Sequence, residues 1–476
     1  MPPIARPKLL PLAIAALLSG CAVTRVEPPP PAPAPVQFKE DAGWQRARAA
    51  APVPDDWWTL FGDPLLDDLE RRLVIGNENL QIAAAQLASL RATLDASKQA
   101  VYPTVTANLG ATRSGSVTGS APSGGARTAN SVSLSASASW ETDLWGRLRM
   151  AQSGAEANEQ ASADDLALAR LSAQATLAQT YFSLRTADAQ LALYERTVQA
   201  YRKTLALTQD LFEAGVDARS AVLQARTQLE TAQSQLAAAL SQRAQDEHAI
   251  AVLLGIAPSE LDLARQAGLP AVPDLPELLP ATLLERRPDI AAAERRVAAA
   301  YAGIGQADAA WFPDLTLSAG LGYRSPAFAK LLSAPNLFWS LGPSIAQAVL
   351  DGGQRRLASA QARASAEQAT AVYRQTVLTA FQEVEDSLVA ARQLAQQAQH
   401  QEQALQAAQQ TLELVLLQYR SGSVSYLNVV AAQTSALGAE SSLLAIRNSQ
   451  LAAVNILLKN IAGRWQAEGV KASQGG

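Results

Sequence analysis

Residues Ser131 to Trp140 read SVSLSASASW, so that serine occupies every second position and apolar residues occupy the others. Successive side chains of a β-strand point to opposite faces of the sheet, and this segment therefore has one apolar face and one small polar face. The alternation predicts a strand of about ten residues, which is the length that crosses a lipid bilayer when the strand is tilted.

Three further segments alternate in the same way. They are Thr104–Thr112, Asp314–Tyr323 and, less regularly because of Pro343, Leu337–Ile345. Strands with one apolar and one polar face are typical of a transmembrane β-barrel, although a soluble sheet with one buried face gives the same pattern. Four strands cannot close a barrel, and lipid does not tolerate open sheet edges. The membrane interpretation therefore predicts an oligomer, and three copies would supply twelve strands.

Long heptad segments surround the predicted strands. Apolar residues recur at steps of four and three from Val377 to Tyr419, with Glu402 and Gln409 as exceptions, and from Leu177 to Phe212. This period predicts coiled-coil packing, although a soluble bundle or solenoid would show it too. The two longest predicted helices have about 67 residues and would be about 100 Å long. The predicted helices are Pro64–Ala100, Arg147–Ala214, Ala218–Leu254, Ala281–Trp311, Gly353–Ser421 and Ser425–Ala462.

The two halves of the chain look like copies of one unit. Tyr102-Pro103 reappears as Phe312-Pro313, and the Ala-Gly at Gly215 reappears as the Ser-Gly at Gly422. The repeat predicts an internal two-fold organisation with these boundaries: signal peptide 1–20, lipidated spacer 21–64, first repeat 65–257, proline-rich link 258–280, second repeat 281–464 and tail 465–476.

The N-terminus has the plan of a secretory signal. A short basic region precedes the apolar run Leu9–Leu18, which is too short to span a bilayer. The ending Leu-Ser-Gly-Cys resembles a bacterial lipobox, and this implies that Cys21 is acylated and becomes the first residue of the mature chain. An ordinary signal peptide with a chance cysteine is the alternative. Cys21 is the single cysteine, so no intrachain disulfide can form.

Several kinds of chemistry have no support in the sequence. The net charge is −4 and the basic residues are scattered, which argues against nucleic acid. His248 and His400 have no ligand partners at metal-binding spacing. The P-loop pattern is missing, and neither a cofactor nor an enzymatic activity is predicted. The basic-acidic run Arg286–Asp289 is explained as a helix start with an arginine–carboxylate contact.

Two motifs resemble the TolC-like outer-membrane factors, in particular the lipoprotein branch that serves drug pumps. Trp57–Leu65 reads WWTLFGDPL, and Arg286–Ile290 reads RRPDI and is followed by Ile304-Gly305 and Phe312-Pro313. The resemblance implies an α+β membrane protein: a homotrimer with a twelve-stranded transmembrane β-barrel and a long antiparallel coiled-coil α-helical barrel through the periplasm. It also implies an equatorial collar made of the 21–64 segment, the 258–280 link and the tail.

The function implied by this resemblance is passive transport. The trimer would lie in the outer membrane of a Gram-negative bacterium, anchored in its lipid. It would accept drugs or other small toxic compounds from an inner-membrane pump of the RND type through a periplasmic adaptor. A channel for protein secretion and a structural coiled-coil lipoprotein without a pore are the alternatives.

A constriction is predicted near the helical hairpin turns. Gly215 and Gly422 mark these turns, which would be the periplasmic tips. Leu427, Asn428 and Ala431 follow the second turn and share one helix face by their spacing, so each would form a ring of three in the pore. Related proteins often carry carboxylates where Asn428 and Ala431 stand, so a steric or polar gate is expected here. The alternative is that this face packs inside the hairpin.

Overall fold

A computed structural model describes residues 56–116, 127–266, 268–273 and 287–461. The predictions for the signal peptide, Cys21, the start of the second repeat and the tail lie outside these residues. The helices are α1 (Pro64–Gly76), α2 (Glu78–Gln99), α3 (Arg147–Glu213), α4 (Arg219–Leu253), α5 (Pro288–Ala309), α6 (Gln354–Arg420) and α7 (Tyr426–Ile461). The strands are β1 (Thr104–Ser116), β2 (Arg127–Thr142), β3 (Asp314–Ser325) and β4 (Leu337–Ala346).

The chain divides into two compact units. The first includes residues 86–163 and 292–373, and it contains the sheet. The second includes residues 164–291 and 374 onward, together with residues 56–85, and it is helical in its described part.

The sheet is antiparallel with strand order β1-β2-β3-β4, so that β1 and β4 are its edges. Its register places Leu109, Leu134, Tyr323 and Leu337 opposite one another in a single apolar row. Serines, threonines and glycines form the alternate rows, as the alternation in sequence predicted. The strands are longer than predicted, because β1 and β2 continue beyond the alternating segments.

The expectation that Pro343 makes β4 irregular is wrong. Pro343 pairs with Leu317 and keeps its place in the alternation. The exception is Phe338, whose side chain lies against Gly322 on the otherwise polar face. A Cβ atom on Gly322 would lie 2.6 Å from the Leu134 carbonyl oxygen, 2.8 Å from the Ser135 Cβ atom and 2.9 Å from the Phe338 ring. Glycine is required there because the Leu134 backbone cannot move away. The Arg324 guanidinium lies 5.3 Å from the centre of the same ring.

The long helices α3 and α6 have 67 residues each, which confirms the predicted length. Heptad residues such as Leu177 and Tyr181 on α3 and Val384 on α6 are buried in one core. The heptad assignment fails at the end of α3, where Phe212 is 42% exposed and Leu211 packs into the core instead. A straight helix drifts about 20° per heptad from a strict seven-residue repeat, which accounts for the change of seam residue.

The single helix predicted over Pro64–Ala100 is two helices. The break lies at Asn77, whose side-chain amide donates a 2.7 Å hydrogen bond to the Leu253 carbonyl and whose side-chain oxygen accepts from the backbone of α2. Gly76 permits the close approach, because a Cβ atom there would lie 2.2 Å from the Leu254 carbonyl oxygen. The end of α4 therefore fixes the position of the break.

Helix α7 is long and apolar enough to cross a membrane by length and composition alone. Its C-terminal half instead supplies core residues, including Leu451, Val454 and Leu457. Within that half, the buried Asn455 amide donates a 2.8 Å hydrogen bond to the Ala175 carbonyl of α3. These contacts place the C-terminal half of α7 in the core of the helical unit, whereas only 28% of the most apolar window of the helix is buried in one chain.

Candidate functional site

Both hairpin turns end a long helix on a glycine with left-handed backbone. Gly215 has φ 75° and Gly422 has φ 73°, a conformation that other residues adopt only with strain. In each turn the backbone N–H after the glycine donates a hydrogen bond to the carbonyl five residues before it. Val216 donates to the Leu211 carbonyl at 2.9 Å, and Ser423 donates to the equivalent carbonyl of α6 at 2.8 Å. The structure thus places both predicted glycines in equivalent turns.

A hydrogen bond joins the two hairpins beside these turns. The Tyr419 hydroxyl of α6 donates to the Asp217 carboxylate at 2.7 Å and lies 3.1 Å from the Thr208 hydroxyl of α3. The other Asp217 oxygen accepts from the Ala218 backbone at the start of α4. Burial, with a contribution from Asp217, raises the pKa of Tyr419 to about 12. The phenol is therefore neutral near neutral pH and able to donate, and the two hairpins are held together at this point.

The three predicted constriction residues lie on the exposed face of α7. Leu427 is 63% exposed, and Asn428 and Ala431 are exposed as well. The opposite face carries the buried Tyr426 and Val429. In one chain, then, the Leu427 face does not pack inside the hairpin, and its place at a constriction stays a prediction.

The apolar face of the sheet is open. Large apolar side chains on this face are between 38% and 76% exposed, and they are Val105, Leu109, Leu134, Trp140, Leu321, Leu337, Trp339, Leu341 and Ile345. Soluble monomers rarely expose so continuous an apolar surface. Together with the small polar residues opposite, this surface has the character of a strand face that contacts lipid.

The first family-like motif builds a buried polar centre. Asp63 caps α1 by accepting from the Leu65 backbone at 3.0 Å. Its other oxygen accepts from the Tyr181 hydroxyl at 2.6 Å and from Arg185 at 2.7 Å. Arg185 also donates to the Gly268 carbonyl at 2.9 Å and thereby holds the link to α3. One carboxylate thus fixes the start of α1, the middle of α3 and part of the link.

The second motif is a helix start, as predicted. Arg287 precedes α5 and donates to Asp289 in its first turn at 2.7 Å and to Glu383 of α6 at 2.8 Å. Both carboxylates raise the pKa of Arg287 against the opposing effect of burial. The arginine thus links α5 to α6 through two carboxylates, and its buried Nη1 atom has no hydrogen-bond partner within the described residues.

Comparison with known sequences decides the family. The sequence model of the outer membrane efflux protein family matches residues 71–256 and 279–463. The chain belongs to the outer membrane efflux protein family. It is therefore an efflux protein of the outer membrane, as the motifs implied.

Named relatives resemble this efflux protein over nearly its whole length. It is 30% identical over 472 residues to the probable efflux pump outer membrane protein TtgC of Pseudomonas putida, covering 98% of this chain and 97% of TtgC. It is 29% identical over 461 residues to the cation efflux system protein CusC of Escherichia coli, covering 96% and 99%.

Solved channels share the fold. The outer-membrane channel OprN is 28% identical, with a TM-score of 0.86 over 93% of this chain and 100% of OprN. The MtrE channel of Neisseria gonorrhoeae, solved in its open state, is 26% identical, with a TM-score of 0.80 over 92% of this chain and 97% of MtrE.

Sequence reasoning missed a second polar centre in this efflux protein. Arg243 of α4 donates to Asp188 of α3 at 2.7 Å and to Glu247 at 2.9 Å. Asp188 also accepts from the Gln266 backbone, and Glu247 accepts from the Leu263 backbone. The link is therefore attached to both helices. The charges were visible in the heptad segments, but their partners in the link could not be assigned from spacing.

Glu70 of this efflux protein was also missed. It is fully buried in α1, and neither carboxylate oxygen has a hydrogen-bond partner in the described parts of the chain. Burial, reinforced by Asp67, raises the pKa of Glu70 to about 9. The side chain is therefore protonated at neutral pH.

The two histidines lie on different helices, α4 and α6. His248 and His400 are both exposed on helices. Among the residues that the structure describes, no group of three or more histidine, cysteine, aspartate or glutamate side chains is arranged to hold a metal ion.

Proposed function

We propose that three copies of this chain form a passive conduit across the outer membrane. The open apolar face of the sheet carries this proposal, together with its two edge strands. An unpaired strand edge cannot stay in lipid, so β1 and β4 must pair with neighbouring copies. Three copies give a barrel of twelve strands. Transport through it requires no catalytic chemistry.

We further propose that the conduit is the outer part of a tripartite pump. The relatives are named for efflux of different materials, including toluene, pyoverdine and cations. Relatives that share one channel fold but are named for different cargoes are consistent with a passive pore whose cargo is selected by another component of the pump. The cargo of this chain would then be a small toxic compound, delivered by an inner-membrane pump of the RND type through a periplasmic adaptor.

The domain boundaries and the anchor belong to the same proposal. Two family matches of similar length, 71–256 and 279–463, support the internal repeat of residues 65–257 and 281–464. Lipidation at Cys21 would fix the mature N-terminus in the membrane, and several acyl chains together hold a protein firmly. Cys21→Ser should abolish the attachment, and mass spectrometry that finds an unmodified Cys21 in the wild type would disprove it.

Opening of the helical end is proposed to be a rigid-body shift of the hairpin tips at Gly215 and Gly422. The Tyr419–Asp217 hydrogen bond would hold the closed arrangement, and the adaptor would favour the open one. Leu427, Asn428 and Ala431 would line the constriction.

The constriction is tested by a thiol at Asn428, since a lipidated Cys21 would leave the mature chain without a competing one. A bulky maleimide on Asn428→Cys should reduce conductance and drug efflux. Complete labelling with unchanged flux would remove Asn428 from the pore.

The pore itself is tested by the conductance of the purified protein in a planar bilayer. A conduit should give discrete single-channel currents. A structural lipoprotein that only tethers membranes would insert or bind without any current, and that result would reject the proposed function.

A further inference from the structure

The polar face of the sheet carries a pair made of one cation and one aromatic ring. Arg324 of β3 lies opposite Ser133 of β2, and Phe338 of β4 lies opposite Gly322 of β3. Both side chains therefore belong to the rows of serine, threonine and glycine, and not to the apolar rows. The Arg324 guanidinium lies 5.3 Å from the centre of the Phe338 ring, where the face of the ring attracts a cation.

The charge of Arg324 is not neutralised by the chain itself. The residue is exposed, and it forms no ion pair with an acidic side chain in the described part of the sequence. Arginine does not lose its proton in proteins. A fixed positive charge therefore stands at the end of the sheet where β3 ends and β4 begins.

The opposite end of the polar face is acidic. Among the side chains that the structure describes in these rows, the other charged ones are Asp314 and Glu141, and Glu141 accepts a 3.1 Å hydrogen bond from Arg147. Asp314 is ten residues from Arg324 on the same strand, which is roughly 33 Å. The Debye length is about 10 Å at 0.1 M salt. The field around Arg324 is therefore set by Arg324 itself.

We propose that three Arg324 side chains, each held over a Phe338 ring, form a cationic ring that makes the outer part of the lumen selective for small anions. The inference rests on the proposed trimeric conduit, in which the polar face lines a watery lumen and the β3–β4 loop faces the cell exterior. The selected solutes include inorganic anions and organic acids of low mass, since the ring recognises charge.

The expected selectivity follows from Coulomb's law. Three charges at about 10 Å from the lumen axis in water should enrich anions about fourfold at 0.01 M salt, where the Debye length is about 30 Å. At 1 M salt the Debye length is about 3 Å, and the enrichment should vanish.

The test is planar-bilayer recording of the purified full-length protein in KCl gradients of low ionic strength. The reversal potential gives the permeability ratio of chloride to potassium. Arg324→Gln should lower this ratio about fourfold. Arg113→Gln is the matched control, because Arg113 lies near the same end of the sheet but on the apolar face, and it should leave the ratio unchanged.

A second measurement separates charge from structure. Arg324→Cys should regain the wild-type ratio after modification by a cationic thiosulfonate reagent, and an anionic reagent of similar size should move the ratio further towards potassium. Wild-type protein treated in parallel controls for Cys21. A structural role of Arg324 would not follow the sign of the attached charge.

The outcomes distinguish this ring from the conduit. Currents with a wild-type permeability ratio in folded, trimeric Arg324→Gln would overturn the ring and leave the conduit intact. An equal change in Arg113→Gln would overturn the ring as well. A wild-type protein without any current would reject the conduit, and the ring with it.

Discussion

Removal of the Tyr419 hydroxyl should open the helical end of the channel. Tyr419→Phe deletes the 2.7 Å hydrogen bond to the Asp217 carboxylate and keeps the ring in place. A hydrogen bond to a charged group contributes about 1.5–3 kcal/mol, and the lower end applies to this half-buried contact. If the three copies open together, the closed state of the trimer would lose about 4.5 kcal/mol of stabilisation. The closed-to-open ratio would then fall on the order of 10³-fold. If each tip opens independently, its own closed-to-open ratio would fall about tenfold.

The assay is single-channel recording in planar bilayers, with open probability as the readout. Tyr426→Phe is the matched control, because its ring lies 5.6 Å from the Tyr419 ring and its hydroxyl makes no hydrogen bond within the described residues. We expect a large rise in open probability for Tyr419→Phe and little change for Tyr426→Phe. A folded trimer of Tyr419→Phe with wild-type open probability would refute the role of this bond.

Other substitutions test the fold and the membrane sheet. Because the folded-state pKa of Glu70, about 9, exceeds its ordinary value of 4.5, stability should fall as pH rises between these values, by at most about 1.4 kcal/mol per unit. Glu70→Gln should therefore raise the melting temperature at pH 8 and not at pH 4, and equal melting curves at pH 8 would contradict this. Gly76→Ala would place a Cβ atom 2.2 Å from a neighbouring carbonyl oxygen, so the variant should have a much lower melting temperature than the wild type. The control is Gly303→Ala, where a Cβ atom would have nothing within 4 Å, and it should be neutral or stabilising by up to about 1 kcal/mol. Similar melting temperatures for the two variants would count against the packing at Gly76. Leu134→Arg should cost about 2–4 kcal/mol near the bilayer midplane and reduce heat-resistant trimers, while Ser135→Arg should mainly change conductance; equal tolerance of both would show that the strand orientation is wrong.

Local patterns predicted the strands and the helix lengths well. The serine alternation in β2 follows directly from the two faces of a strand, and the apolar rows of the register agree with it. The single helix predicted over Pro64–Ala100 is an error that arose where a tertiary contact decides. Asn77 ends α1 by bonding to Leu253, which lies 176 residues away.

The candidate site was predictable only in part. Gly215 and Gly422 were found because a left-handed helix end favours glycine at that position, which is a local signal. The bond between Tyr419 and Asp217 spans 202 residues, and no spacing rule brings such partners together. The Asp63 centre was visible only as a family-like motif, since its partner Tyr181 lies 118 residues away.

The mass of the purified protein in detergent tests most directly the claim that this four-stranded sheet is completed by other copies. Multi-angle light scattering should give a protein mass of three chains, each 50.1 kDa before removal of the signal peptide, with the β signal in circular dichroism retained. A mass of one chain with the same β signal would show that the sheet is stable with both edges unpaired, and it would contradict the trimeric barrel.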